Sequence, residues 1–188
     1  MENKEYMFRD LKENEIDVRI QSVLKNGIIL LLYKDARVDQ DILDETVGNM
    51  NWQRHHTRDN ANCIVGIWDK EKKMWIEKED TGKESFSEAE KGLASDSFKR
   101  ACFNWGIGRE LYTSPFIWIP ADKCNIIETG KKDKYGNPVY TCKDKFSVEK
   151  IQIKDKVITG LSILNDSLKV KDIKDKRGFV FAKKVEDK

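Results

Sequence analysis

The sequence predicts an α+β protein. An antiparallel β-sheet (a β-hairpin, a short helix and a three-stranded meander) packs on one long α-helix, a β-β-β-α core with extra C-terminal strands. Three observations lead there. Two apolar, alternating runs between Ile16 and Tyr33 are separated by Asn26-Gly27, the strongest short hairpin signal. Three β-branched and aromatic runs between Asn51 and Glu79 are joined by short polar turns. Ser87 to Tyr112 then has a helical period between a start signal and a stop signal.

In chain order, residues 1–15 place Tyr6, Met7, Phe8 and Leu11 among charges, which suits a short helix or an arm that docks. The hairpin strands follow. Val38, Ile42, Leu43 and Val47 recur at helical spacing, with Asp39 as cap and Gly48 as stop. In the strand from Asn51 to Arg58, alternation puts Trp52, Arg54 and His56 on one face and Gln53, His55 and Thr57 on the other. Ala61 to Trp68 and Lys73 to Glu79 complete the meander around the charged turn Asp69-Lys70-Glu71-Lys72. In the long helix, Ser87 and Glu90 form a capping box, and Gly106 and Gly108 offer the left-handed residue that ends it. Beyond it come an apolar exit segment, Ser114–Pro120, and a Lys- and Gly-rich turn from Lys131 to Asn137 with Tyr135-Gly136-Asn137-Pro138 at its tip. Val139–Thr141, Phe146–Ile153, Val157–Leu164 and Gly178–Ala182 read as short strands. Residues 1–120 are expected to form the core and 121–188 a β-rich extension of the same domain.

Composition narrows the function classes. The 188 residues are 36% charged and 39% hydrophobic, enough for a sizeable core. No apolar run approaches the ~20 residues that span a bilayer. The first residues lack a signal-peptide core, so a cytoplasmic protein with no membrane partner is expected. Cys63, Cys102, Cys124 and Cys142 contain no CxxC pair, so free thiols are expected rather than zinc. Cys124 and Cys142 flank a hairpin-like segment. The net charge of +2 is uneven: residues 143–188 hold 13 Lys and Arg against 8 Asp and Glu. A nucleic-acid binder with this balance must gather its cations into a groove.

No catalytic constellation emerges, and neither enzyme activity nor a cofactor is expected. His55 and His56 are consecutive strand residues and point to opposite faces, which suits a metal poorly. Asp41, Asp44 and Glu45 share a helix face as a Mg²⁺ nuclease would require, but such a run also suits a solvated face. Gly106-Ile107-Gly108 follows a helix, whereas a phosphate loop follows a strand. The five Trp residues suit packing.

The long helix is more informative. Ala94, Phe98, Ala101, Cys102 and Trp105 form an apolar stripe facing a core. Asp96, Lys99, Arg100 and Phe103 lie opposite. Two cations beside an exposed ring suit a nucleic-acid backbone with stacking on the bases. On spacing alone they suit better a solvated face with Phe103 packed on another element or subunit.

Ser95-Asp96-Ser97-Phe98-Lys99-Arg100-Ala101, followed by Trp105-Gly106-Ile107-Gly108 and Leu111-Tyr112, resembles the signature helix of the Rad52/Rad22 family of single-strand annealing proteins, and in particular its phage and bacterial Sak-like members. Gly48-Asn49-Met50-Asn51-Trp52 resembles a second family feature. The resemblance spans Ile16 to Tyr112. It implies a DNA-repair and recombination protein that anneals single strands without ATP. Family members form rings or arcs that hold the backbone of single-stranded DNA in a basic groove with the bases exposed. The partners implied are single-stranded DNA, further copies of the chain, and a single-strand binding protein or recombinase. By position, Lys99 and Arg100 match the family's groove cations, Arg37 lies near a family Arg that contacts DNA, and Lys83 corresponds to a second basic site. Phe103 stands where many members carry an Arg, which shifts the expected groove toward stacking. The reading from another class is an oligomeric scaffold in which Lys99 and Arg100 make inter-subunit salt bridges.

Overall fold

The computed structural model describes residues 7–83, 89–170 and 172–183. The order of elements is β1 (Asp17–Leu24), β2 (Gly27–Tyr33), α1 (Ala36–Val47), β3 (Trp52–Thr57), β4 (Asn62–Asp69), β5 (Met74–Thr81), α2 (Ala89–Trp105), β6 (Ile117–Pro120), β7 (Ile126–Lys132), β8 (Pro138–Cys142), β9 (Phe146–Lys154), β10 (Val157–Asn165) and β11 (Arg177–Ala182). The protein is α+β, its strand pairs are antiparallel, and it carries two α-helices among the described residues. No described helix is long and apolar enough to cross a membrane. The chain divides into two compact units, Met1–Asp10 with Asp35–Arg109, and Leu11–Lys34 with Glu110–Lys188.

The first unit holds α1, the meander β3-β4-β5 and α2. Helix α1 starts two residues before the expected Val38. Its cap is Asp35, whose carboxylate accepts the Arg37 N–H at 2.8 Å, while Asp39, the expected cap, is buried inside the first turn. Gly48 ends the helix at φ +84°, as the sequence suggests. In the meander, Trp52 pairs with Ile67, Arg54 with Val65 and His56 with Cys63, and the register continues to Ile76, Lys78 and Asp80 on β5. These residues share the face that meets α2. The far face carries Trp68 edge-on to Trp75, with ring centroids 5.4 Å apart.

The expected single long helix over residues 87–112 is shorter. The helix α2 stops at Trp105 because Gly106 turns left-handed at φ +97°. The Gly106 N–H then reaches Phe103 O at 3.0 Å and the Ile107 N–H reaches Cys102 O at 3.2 Å, the Schellman pair that closes a helix end. Leu111 and Tyr112 belong to a separate 3₁₀ turn, Arg109–Thr113. The capping box of Ser87 with Glu90 rests on Ser87, which lies outside the described residues. Gly82 fixes how close the helix comes to the sheet. A Cβ there would lie 2.6 Å from Ser97 N and 2.9 Å from Leu93 O, so only glycine allows this approach.

The second unit corrects the expected single sheet most clearly. The hairpin β1-β2 does not join the meander; it sits in a six-stranded sheet ordered β11-β10-β9-β1-β2-β6. Its buried residues Ile28 and Leu30 pack with Ile117, Ile119, Phe146, Ile158, Leu161 and Ile163. An alternating pattern names the face a strand buries but not its neighbour, and here the neighbours lie more than 80 residues downstream. The two edge strands β6 and β11 also approach each other, a Cβ on Gly178 falling 2.9 Å from Ile119 Cδ1, so the sheet curls around its core. A separate two-stranded ladder, β7-β8, lies between Cys124 and Cys142, where the sequence suggests a hairpin-like segment, although β7 itself is not among the strands read from the sequence. All four cysteines are free thiols. Burial, then the neighbouring Cys142, pushes the Cys124 thiol up to about 12.

One ion pair ties β9 to β11. Glu149 meets the guanidinium of Arg177 and accepts the Ser162 hydroxyl at 2.5 Å. The Arg177 hydrogen bonds, then Ser162, pull the Glu149 carboxyl down to about 2. A carboxylate depressed in the folded state stabilises it above the unfolded value near 4.5, and that contribution is lost as pH falls toward 2. Urea midpoints measured from pH 7 downward should therefore fall below about pH 4.5 less steeply in Glu149→Gln than in the parent. Gly82→Ala should lower stability by about 2 kcal/mol, read from the same urea curves at pH 7.

Candidate nucleic-acid interface

The candidate interface is built on α2, and α2 is positioned by its apolar side. Phe98, Ala101 and Cys102 have no exposed surface, and Ala94 and Trp105 are half-buried. The Phe98 ring stacks on Trp52 at 6.1 Å, and the Arg54 guanidinium lies 4.7 Å from its centroid. Trp105 donates its indole N–H to Val65 O at 3.0 Å, and the Lys78 ammonium sits 4.4 Å from the Trp105 ring centre. The sequence stripe thus describes the buried side, with one addition: Ser97 is fully buried, its hydroxyl 3.0 Å from Asn60 O and 3.4 Å from His56 Nδ1. Burial, then the charge of Arg54, lowers the His56 pKa, so its imidazole is neutral near pH 7. His55 is exposed.

The opposite side of α2 carries Lys99, Arg100 and Phe103, all half-exposed. Arg100 Nε lies 3.3 Å from Asp80 Oδ1 on β5, and Asn104 Nδ2 reaches Asp80 Oδ2 at 3.5 Å. Arg37 projects from the first turn of α1 with its side chain 82% exposed, and its guanidinium holds Asp35 at 2.9 Å. The Arg37 side-chain hydrogen bond, then its N–H, depresses the Asp35 carboxyl, and the charge of Lys99 adds to the shift. The charge of Lys99 thus reaches the carboxylate that Arg37 holds, weakly and, among the described residues, without an ion pair of its own, although the two cations lie 62 positions apart in sequence. Lys83 is exposed at the foot of β5, where its N–H is fixed by Asp96 Oδ2 at 2.9 Å. Among the described residues no hydrogen bond or ion pair joins the Lys83 side chain to Arg37. Phe103 contributes its carbonyl, which accepts Arg109 Nε at 2.6 Å.

Two cations were not singled out from the sequence. Arg109 Nη2 and Lys78 Nζ both donate to Asn104 O, at 2.9 and 2.8 Å, so positive charge gathers at the C-terminal end of α2, where the helix dipole favours it. Strand parity could have found Lys78, because it shares the helix-facing side of β5 with Ile76 and Asp80. Two of the three carboxylates weighed for a nuclease are engaged elsewhere. Asp44 accepts the Trp52 indole N–H at 2.6 Å, and Glu45 pairs with Arg9 at 2.6 Å. Among the described residues, no three His, Cys, Asp or Glu side chains gather as a metal ion requires.

On this side of the unit the Arg37 and Arg100 guanidiniums are each matched by a carboxylate of their own chain, Asp35 and Asp80. An incoming phosphate competes with Asp80 and Asp35 for those guanidiniums, and exposed pairs of this kind are individually weak.

The family model described as Rad52/22 family double-strand break repair protein matches residues 67–124, from the end of β4 through α2 and β6. The match supports that family and, with it, DNA repair and recombination. It includes Lys83, Lys99, Arg100 and Phe103 and leaves out Arg37. No curated protein and no solved structure matches the chain.

Asp80→Asn removes the competing charge while retaining a polar partner for Asn104. It should tighten binding of a labelled oligothymidine by about two- to fivefold, the weight of one exposed ion pair, in a fluorescence-anisotropy titration.

Proposed function

We propose that the chain is a single-stranded DNA-binding and annealing protein of homologous recombination and repair. It works as a ring or arc of identical subunits, as a phage or bacterial Sak-like member of the Rad52/Rad22 family, in the cytoplasm. One observation carries the reading: the family model falls on α2, the helix whose outer side holds Lys99 and Arg100 and lies beside Arg37. Annealing brings two mutually repelling strands together. The protein therefore neutralises phosphates while leaving base edges open, and no bond is made or broken. Lys99, Arg100 and Arg37 supply the neutralisation, Lys83 extends it, and Phe103 lies beside it as a stacking surface. A chain of net charge +2 binds weakly alone, and repetition of one modest patch around an oligomer raises the effective concentration of sites. Single-stranded DNA and further copies of the chain are its partners, joined by a single-strand binding protein or recombinase. It needs no nucleotide or metal cofactor. The scaffold reading calls for Arg100 to bridge subunits, but Arg100 meets Asp80 of its own chain.

The test is annealing of two complementary fluorescent oligonucleotides without nucleotide cofactor across a salt series, with light scattering to read the assembly. The parent should accelerate annealing, the acceleration should fall with salt, and the species should be a large oligomer. Lys99→Ala combined with Arg100→Ala should abolish single-strand binding while leaving the thermal midpoint unchanged. Intact binding by that variant at near-physiological salt rules out this face as the site.

A further inference from the structure

From its geometry we infer that the β7-β8 hairpin is a second contact for single-stranded nucleic acid, with Lys131, Lys132 and Lys134 on the phosphates and Tyr135 stacked on an unpaired base. The inference rests on the reading of the chain as a single-strand binder and adds a site on the other unit, which the α2 surface does not include.

The hairpin has an anchored base and a bare tip. At the base, Ile126 and Cys142 pack against the apolar core of the second unit. Asp144 accepts from Asn125 N–H at 2.8 Å, Asn125 Nδ2 at 2.9 Å and Asn165 Nδ2 at 2.7 Å, tying both strand ends to β10. From Ile127 to Pro138 every residue is exposed. A tip without apolar burial depends on its turn for order, and the turn here is closely held. The Asp133 N–H donates to Asn137 O at 2.9 Å, and the Gly136 N–H donates to Asp133 O at 3.0 Å. The Asp133 carboxylate accepts the N–H of Tyr135 at 2.8 Å and of Asn137 at 2.9 Å, and the Asn137 amide at 3.2 Å.

These bonds occupy the acid at the tip. The carboxylate of Asp133 is spent on backbone N–H groups, while none of the three lysines is ion-paired among the described residues. The Lys134 ammonium lies 4.9 Å from the Tyr135 ring centroid, so the cation and the aromatic surface form one unit. Tyr135 is 76% exposed. A prefixed turn that presents three cations and one open ring suits a flexible polyanion with unpaired bases. The lysines meet phosphates, the ring meets any base by its π-face, and little ordering is left to be done on binding.

The experiment uses the full chain and a labelled oligothymidine, with affinity read by anisotropy across a salt series. Lys131→Ala, Lys132→Ala and Lys134→Ala together should lower the slope of log affinity against log salt by about 2. Tyr135→Ala should weaken binding about tenfold with little change in slope, and Tyr135→Phe should restore it. If the triple variant fails to fold, Lys132→Gln alone carries the test, with an expected slope change of about 0.7. Parental affinity and slope in the hairpin variants overturn the inference. If Lys99→Ala with Arg100→Ala still abolishes binding in that case, the proposed function stands without the hairpin. A hairpin effect confined to duplex DNA overturns the single-strand assignment. A parent chain that does not bind oligothymidine overturns both.

Discussion

Everything proposed for α2 depends on the fit between its backbone and the end of β5. At Gly82 the helix comes so close that a single methyl group would meet Ser97 N at 2.6 Å. That approach lets Phe98, Ala101 and Cys102 bury completely against the meander. Phe98 then stacks on Trp52 beneath the Arg54 guanidinium, and Trp105 donates to the central strand. With the apolar side fully committed, the helix has one rotation available, and that rotation turns Lys99 and Arg100 outward. Burial of one large aromatic contributes roughly 2–3 kcal/mol, more than any exposed ion pair on the same helix. Packing therefore positions the cations, and the cations contribute little to the fold.

For the proposed DNA contact, the ion pairs on the outer side matter as pairs that a phosphate would have to displace. Arg37 and Arg100 each rest on a carboxylate of their own chain, while Lys99 adds its field to Asp35. A guanidinium held by a partly exposed carboxylate has a defined orientation at small energetic cost. It can pass to a phosphate with its direction already set. The cost is competition, and the net effect on affinity is a balance between preorganisation and displacement of Asp80 and Asp35.

How much of this was legible depended on how local the signal is. The buried side of α2, the Trp52, Arg54 and His56 parity of β3 and the Gly106 stop come from periodicity and turn chemistry within a few residues, and the structure has all of them. The start of α1 was misread because Asp35 and Asp39 both offer a capping oxygen, and the apolar pattern begins only at Val38; the free N–H of Arg37 decides for Asp35. Strand β7 gave no alternating signal because almost every residue in it is exposed. The partners of the hairpin β1-β2 were out of reach because Asp17 pairs with Ser147 and Leu30 with Ile117, which local pattern does not encode. At the site, residue identities were legible, but Asp80 opposite Arg100 and Asp35 beside Lys99 are tertiary facts. Only the strand parity that sets Asp80 beside Cys63 hinted at the first.

The division of the chain has a consequence for the order of events during synthesis. The second unit takes its first two strands from residues before Lys34 and the rest from residues after Glu110, with the main body of the first unit lying wholly between them. On a ribosome the hairpin emerges early with no sheet to join. The meander and α2 emerge next and can close on near neighbours, while Ile28 and Leu30 wait for Ile117, Phe146 and Ile163. The unit that carries α2 therefore has its strands and helices complete before the one that began first, and the nascent β1-β2 ribbon spends that interval without the strands that flank it in the sheet.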